Sequence, residues 1–418
     1  MIGYHKITTW LLVLLFTHVA QAQQQSGPQP TLEGLQQEVQ ELRQQIAALE
    51  AKLATQATAS TEAPHESSIQ DSNAPEPQSW LNRETERLSF RGFGEVNYKA
   101  LDQRQPEIAS GGFVPGSAAN FYAGNFDLLL TAPIGVRAHV LSEIDFQETD
   151  AQQFKLDVDR LMLSYDLRDW LQPSAGRYQT AIGYYNTTFM SSAWPQTTVD
   201  RPLLMAFPDE GGVLPLQAIG LSVQGSVPLR KLGLNYLFEY GSSDTIRTRL
   251  DGIGSQDDEN NGNQVNLGIF ARPDRVPGLE IGGSIYHDKI SDDRNVSIRY
   301  GQTIVNVHVV YVARGVELLN EGVLIRHAEL NGPNLFNMPG GYTLVSKQFG
   351  KFRPFFRFQY LNMNPQSTLH DVLLRYGPTF GMRYDFNAKI AIKLQLDHAA
   401  RKSQSDLNGV QTQLAFAF

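Results

Sequence analysis

Charged side chains recur at every second position along several apolar stretches of this 418-residue chain, and their chemistry would be electrostatic. Acidic residues are frequent in the early stretches and basic residues in the late ones. Positions two or four apart in a strand lie on one face. Opposed acidic and basic walls would create a field across a pore that orders and filters polar solutes. The predicted pore-lining residues are Arg91, Glu95, Asp127, Arg137 and Glu143 on the early strands, Arg177 on the fifth strand, and Arg353, Arg357, Arg375, Arg383, Lys389 and Lys393 on the late strands.

One long segment between two predicted strands, residues 181–216, is rich in aromatic and charged residues. A wide barrel without a plug would be a wide hole, so an inward-folded loop is one way to make it selective. We expect the segment to fold inward and to contribute Asp200, Arg201, Asp209 and Glu210 to a constriction. The alternative is an external loop that packs on itself.

Motifs for covalent chemistry do not occur in the sequence. There is no H-E-x-x-H, G-x-S-x-G or P-loop pattern. The chain has no cysteine, which excludes disulfides, thiolate metal sites and cysteine nucleophiles. Residues 257–262 resemble the start of a calcium loop, but Gly268 stands where an EF-hand needs a glutamate. We therefore predict no enzyme activity, no metal and no cofactor.

From Leu88 onward the apolar residues alternate with polar ones, which is the period of a β-strand. The pattern predicts about sixteen strands, most of them close to the roughly 9–11 residues that cross a bilayer obliquely. The connections alternate between short and long, as in porins. The predicted fold is all-β: an antiparallel transmembrane β-barrel of about sixteen strands over residues 85–418, with a short N-terminal periplasmic coiled coil.

Three local features refine this prediction. Residues 133–135 read as a tight turn, with a strand starting at Val136. The alternation slips between Val158 and Leu161, which predicts a bulge or a frayed end. The last strand, residues 408–418, should pair with the first, since an open sheet edge cannot lie in lipid.

The N-terminal part has three predicted regions. Residues 1–22 have the basic start, apolar core and Ala-Gln-Ala site of a signal peptide. Residues 31–54 carry a heptad repeat of apolar residues, which predicts a coiled coil. Residues 55–84 are rich in Ala, Thr, Ser, Glu, Pro and Gln, so we expect a disordered linker.

Composition narrows the class further. The net charge of −8 argues against a nucleic-acid partner. No apolar run approaches the roughly 18 residues of a membrane helix, which disfavours a helical membrane protein. Alternating strands remain compatible with a composition of this kind.

Local motifs resemble the phosphate-selective porin (O/P type) family. Residues 176–183, Gly-Arg-Tyr-Gln-Thr-Ala-Ile-Gly, resemble the family segment Gly-Arg-Phe-Lys-Thr-Pro-Phe-Gly, which closes strand five and opens the constriction loop. Residues 209–213 and 220–225 resemble the return into strand six, and Asn320-Glu321 resembles an acid-bearing strand. The resemblance implies a trimeric anion channel. Gln179 and Ala181 depart from the family's Lys and Pro, so the sequence supports a channel better than it supports phosphate as the solute.

The function that follows is a bacterial outer-membrane porin for passive diffusion of small solutes, including anions. The expected partners are outer-membrane lipid, two further copies in a homotrimer, and the barrel-assembly machinery, which would recognise Phe416 and Phe418 at the end of the last strand. Three alternatives remain: an outer-membrane enzyme, a gated transporter with 181–216 as a plug, and an envelope tether that uses the coiled coil.

Overall fold

The computed structural model describes residues 88–101, 120–148, 154–189, 193–206, 212–228, 231–243, 246–247, 263–292, 295–363, 374–402 and 405–418. The predicted signal peptide, coiled coil and linker lie outside the described residues, as do Asp209, Glu210 and residues 257–262.

One sheet of seventeen strands contains all the strands of the described residues. Sixteen of them are long. The remaining strand, Ile246–Arg247, has two residues and pairs in parallel with the strand Leu279–Asp292. The strands are β1 Ser89–Leu101, β2 Asn120–Ile134, β3 Ala138–Glu148, β4 Phe154–Tyr165, β5 Gln172–Gln179, β6 Gln217–Ser226, β7 Leu234–Ser243, β8 Ile246–Arg247, β9 Gln264–Ala271, β10 Leu279–Asp292, β11 Asn295–Ala313, β12 Val316–Glu329, β13 Leu335–Lys347, β14 Phe352–Asn362, β15 Leu374–Asn387, β16 Ile390–Arg401 and β17 Leu407–Ala417.

The sheet closes on itself because β17 pairs antiparallel with β1. Val96 lies opposite Leu414, and Tyr98 lies opposite Thr412. Beyond the strand end, Gly92 and Phe418 exchange two backbone hydrogen bonds of 3.0 and 2.9 Å. The closed antiparallel barrel of sixteen long strands and the pairing of its last strand with its first are therefore confirmed.

After two tight turns, the following strand begins later than the alternation predicts. β2 continues to Ile134, and the turn occupies residues 135–137, where Gly135 takes a φ of +79°. Glycine is the residue that adopts this conformation without steric cost, so the turn lies around it. Arg137 is consequently exposed in the turn rather than on a strand, and its role as a pore-lining residue stays a prediction. Lys389 is likewise exposed in the turn between β15 and β16, outside the inner wall where it was predicted.

The predicted slip in β4 is a β-bulge. Glu143 pairs with Arg160 while Ile144 pairs with Val158, which leaves Asp159 as the extra residue of the bulged strand. A bulge bends a strand and re-aims a side chain. Asp159 can therefore approach acidic residues of the neighbouring strands.

The two faces of the wall differ in polarity. Apolar side chains such as Leu221, Phe380 and Leu396 are exposed on the outer face. Buried polar and charged side chains, including Asp127, Arg357 and Gln395, occupy the other face. This is the alternation expected of strands between lipid and a polar lumen. Among the described residues, no helix combines the length and the apolar character needed to cross a membrane.

Candidate functional site

The described residues of segment 181–216 lie against the inner wall of the barrel. They include a short helix, α1 Gly183–Thr188, and a 3-10 turn, η1 Leu203–Met205. The chain enters α1 at Gly183, whose φ is +84°. A Cβ atom at this position would lie 2.2 Å from Oε2 of Glu321, so only glycine lets the backbone approach this carboxylate.

Glu321 on β12 holds the beginning of α1. Its two carboxylate oxygens accept hydrogen bonds from the backbone N–H groups of Tyr184 and Tyr185, both at 2.8 Å. The Tyr342 hydroxyl donates a third hydrogen bond of 2.5 Å. Hydrogen bonds to a buried carboxylate are among the stronger ones in proteins. Further along the wall, Glu239 on β7 accepts the backbone N–H of Ala181 at 3.2 Å.

Asp200 carries the charged contact at the middle of the segment. Its Oδ1 accepts hydrogen bonds from Nη2 of Arg357 and from Nε2 of Gln395, both at 2.7 Å. Burial disfavours the charged carboxylate, but the Arg357 guanidinium and the Gln395 bond outweigh this, and the pKa of Asp200 lies below its ordinary value. The segment is thus held to β14 and β16 by an ion pair that persists at neutral pH.

Two further basic residues that the sequence predicts to line the pore bind backbone carbonyl groups of the same segment. Arg383 donates from Nη1 to the carbonyl oxygens of Trp194 and Gln196 at 2.6 and 2.9 Å. Lys393 donates from Nζ to those of Ala193 and Thr198 at 2.5 and 3.0 Å. These cations therefore satisfy loop carbonyls that would otherwise be buried without a donor.

Arg201 organises the segment from within. Its guanidinium donates to the carbonyl oxygens of Met205 and Phe189 and to the side chain of Asn186, at 2.5, 2.6 and 2.7 Å. It also lies over the Tyr185 ring, 5.1 Å from the centroid. Arg201 is buried, so its role in this structure is to tie α1 to η1.

An apolar cluster joins the segment to one side of the barrel. Large apolar side chains of the segment pack with inward-facing apolar side chains of the strands β10 to β14. The segment contributes Ile182, Tyr184, Tyr185, Phe189, Leu203, Leu204, Met205, Val213 and Leu214, and the wall contributes residues such as Tyr286, Ile304, Leu319, Ile325, Met338 and Leu361. Burial of these apolar side chains stabilises the segment in contact with the inner wall.

The acidic residues that the sequence predicts to line the pore on the barrel strands lie on β1, β2 and β3. Glu143 is fully buried and pairs with Nε of Arg160 at 2.5 Å. Glu95 accepts hydrogen bonds from Asn97 and Gln413 at 3.1 and 3.2 Å. Asp127 is also buried and is the cross-strand partner of an aspartate on β3.

The acidic and basic walls adjoin one another. Closure places β17 between β16 and β1, so the basic strands β14 to β16 are followed around the barrel by the acidic strands β1 to β4. The predicted opposition of the two walls is therefore wrong, because the pairing of the first and last strands brings the two ends of the chain side by side.

The remaining predicted residues have separate environments. Arg91 is exposed near the start of β1. Arg177 donates to Gln217 and lies 3.8 Å from Asp157. Arg353 lies 3.6 Å from Glu317, and Arg375 is half-buried on β15.

Neither of the two carboxylates that hold the start of the segment, Glu239 and Glu321, was predicted as a site residue, although the family resemblance includes Glu321. One signal was present for Glu321: it is an acid in the inward phase of β12 between Leu319 and Val323. An isolated acid between apolar inward-facing residues needs a partner, and here that partner is the backbone of α1.

No protein-family model matches the chain, and no curated protein matches it. Solved outer-membrane proteins, among them a porin and a channel, share its fold. The anion-selective porin from Comamonas acidovorans aligns with a TM-score of 0.56 and 12% identity, over 80% of this chain and all of that chain. The trimer form of OmpT from Vibrio cholerae gives 0.53 and 10%, over 80% and 100% of the two chains. The channel DcaP of Acinetobacter baumannii gives 0.51 and 10%, over 79% and 97%. At these identities the similarity establishes the barrel fold.

Proposed function

We propose that this chain is a bacterial outer-membrane porin through which small polar solutes diffuse passively, and that residues 181–216 form its constriction. The observation that carries the proposal is the attachment of this segment to the inner wall. Its contacts reach from Glu239 on β7 to Gln413 on β17, whose Nε2 donates to the carbonyl oxygen of Val199 at 3.1 Å. A segment attached to so many strands would narrow the lumen permanently. It would not move to open and close the pore.

Single-channel recording in planar bilayers tests this proposal. The purified protein should give stable, long-lived conductance steps. A variant that lacks residues 193–206 should give larger steps, because the part held by Arg357, Arg383 and Lys393 is gone. The barrel of each variant is checked by its heat-dependent mobility on gels.

Three results would contradict the proposal. Absence of conductance from both proteins would mean that the barrel is not a channel. A silent full-length protein with a conducting deletion variant would support the gated transporter, in which the segment is a plug. Clear turnover of a lipid or a peptide by the purified protein would support the enzyme alternative.

The proposal for charge selectivity concerns fewer basic residues than the sequence predicts to line the pore. Arg357, Arg383 and Lys393 bind the segment and are buried. We propose that any preference for anions rests on Arg353 and Arg375, whose side chains are partly accessible. Support for anions comes from the family resemblance and from the fold of the anion-selective porin. Phosphate as the solute has no support beyond the resemblance.

We also propose an outer-membrane location and a homotrimer. The exposed apolar outer face supports a lipid environment. A trimer form of a protein with this fold supports the oligomeric state. Membrane fractionation and chemical crosslinking test these two points. The envelope tether rests on residues 31–54, and deletion of these residues should impair envelope attachment if it is correct.

A further inference from the structure

Three carboxylates meet on the inner wall where β2, β3 and β4 lie side by side. Asp127 and Asp145 are direct cross-strand partners. Asp159 joins them because the bulge in β4 removes it from the regular register. One oxygen of each carboxylate lies within 4.8 Å of the others. A common point then lies within about 2.8 Å of all three oxygens, close to the roughly 2.3–2.6 Å of a Ca²⁺–oxygen bond.

Two of these carboxylates are buried and incompletely paired. Asp127 and Asp145 are each 1% exposed. Oδ2 of Asp127 and Oδ1 of Asp145 have no hydrogen-bond partner among the described residues. Buried polar atoms in native proteins are nearly always satisfied, and buried charges are paired or coordinate metals. The two oxygens therefore point to a ligand that accepts lone pairs from both strands.

The nearest cations are occupied elsewhere. Arg160 is paired with Glu143. Arg177 donates to Gln217, whose own Nε2 donates to Oδ1 of Asp159 at 2.9 Å. Gln217 thereby orients Asp159, as groups around metal ligands commonly do. No arginine or lysine of the described residues forms an ion pair with any of the three aspartates.

We propose that Asp127, Asp145 and Asp159 form a binding site for a divalent cation, and that Ca²⁺ fits it best. Carboxylate oxygens suit hard cations, whereas the absence of nitrogen and sulfur ligands from this set disfavours zinc and copper. Mg²⁺ demands shorter bonds and near-ideal octahedral geometry, which carboxylates fixed on three strands supply less readily. The cation would join β2, β3 and β4 and neutralise the acidic wall.

Calorimetric titration with CaCl₂ tests the site directly. The full chain is refolded into detergent micelles free of lipopolysaccharide, treated with EDTA, and desalted at pH 7.5. We expect saturable binding of one Ca²⁺ per chain, and an affinity for Mg²⁺ at least about tenfold lower, as the stricter geometry of that ion requires.

Variants separate this site from other acidic residues. The double variant Asp127→Asn/Asp145→Asn should lose saturable binding. Asp159→Asn removes one ligand but keeps the two buried ones, and it should weaken binding at least about tenfold, because losing even an outer-shell partner of a metal site lowers affinity about 10–100-fold. Asp274→Asn, in an exposed turn, is the matched control and should bind as the native chain does.

The native protein provides the decisive outcome even if a variant does not fold. Lack of saturable Ca²⁺ binding to the native chain at pH 7.5 would overturn the site and would mean that the carboxylates share protons instead. Unchanged binding in a folded double variant would also overturn it. Because binding is measured without conductance, these results are independent of the proposed channel.

Discussion

Removal of the Glu321 carboxylate should release the beginning of the inward-folded segment. The variant Glu321→Ala deletes the acceptor of the Tyr184 and Tyr185 amides, which are both 2.8 Å from it. Hydrogen bonds to charged groups contribute about 1.5–3 kcal/mol each, so the two amide bonds contribute about 3–6 kcal/mol. The other contacts of the segment remain, so we expect local opening at α1 rather than release of the whole segment.

The free energy lost with these hydrogen bonds can be measured through the rate of amide hydrogen exchange. A protected amide exchanges through local opening, and its rate follows the population of the open form. A loss of about 3 kcal/mol raises this population about a hundredfold, because 1.4 kcal/mol corresponds to a factor of ten. Mass spectrometry of peptides that contain Tyr184 and Tyr185 should detect this change.

The control for this variant lies on the same strand. Glu329→Gln changes an acid at the outer end of β12, whose side chain bonds the exposed Asn334 at 2.6 Å. Its effect on the exchange of the two tyrosine amides should be negligible. If Glu321→Ala also leaves their exchange unchanged in a folded barrel, the carboxylate does not hold α1 in place.

Four other expectations concern pH, assembly and selectivity. Because the pKa of Asp200 is lowered, its ion pair with Arg357 stabilises the attached segment above the ordinary carboxyl range, and this stabilisation is lost as the pH falls through the lowered pKa. The noise of the single-channel current should therefore rise in acid. Asp200→Asn should give a noisy current already at neutral pH, and a quiet variant would contradict this. Gly92→Ala places a Cβ 2.1 Å from the Phe418 ring and should lower the folded fraction on gels, whereas Gly268→Ala meets only ordinary contacts and should not. Deletion of Phe418 should lower the amount of assembled barrel in membranes, and normal assembly would show that this residue is no signal. Arg353→Gln should shift the reversal potential in a salt gradient towards cations, and no shift would place Arg353 outside the narrow part.

The alternation of side chains by itself determined the barrel. A strand between lipid and a polar lumen must change polarity at every residue, so the pattern is local and can be read directly. The irregularity in β4 could be located for the same reason. An extra residue shifts the phase of the side-chain alternation between Val158 and Leu161. Turn positions were less determined, since Gly135 could end a turn or begin it. In the structure it begins the turn, so Arg137 lies in the turn and not on the strand.

The roles of the charged residues were decided only by the tertiary structure. The phase of a strand tells which side chains point inward, but it does not tell whether they meet water, another charge or a folded segment. Arg357 and Lys393 are buried, and each binds residues 193–200, more than 150 positions away in the chain. Asp127 and Asp159 likewise become neighbours only because the strands pair and β4 bulges. Side-chain period is a property of a few consecutive residues, whereas these contacts depend on how the barrel closes and where the long segment lies within it.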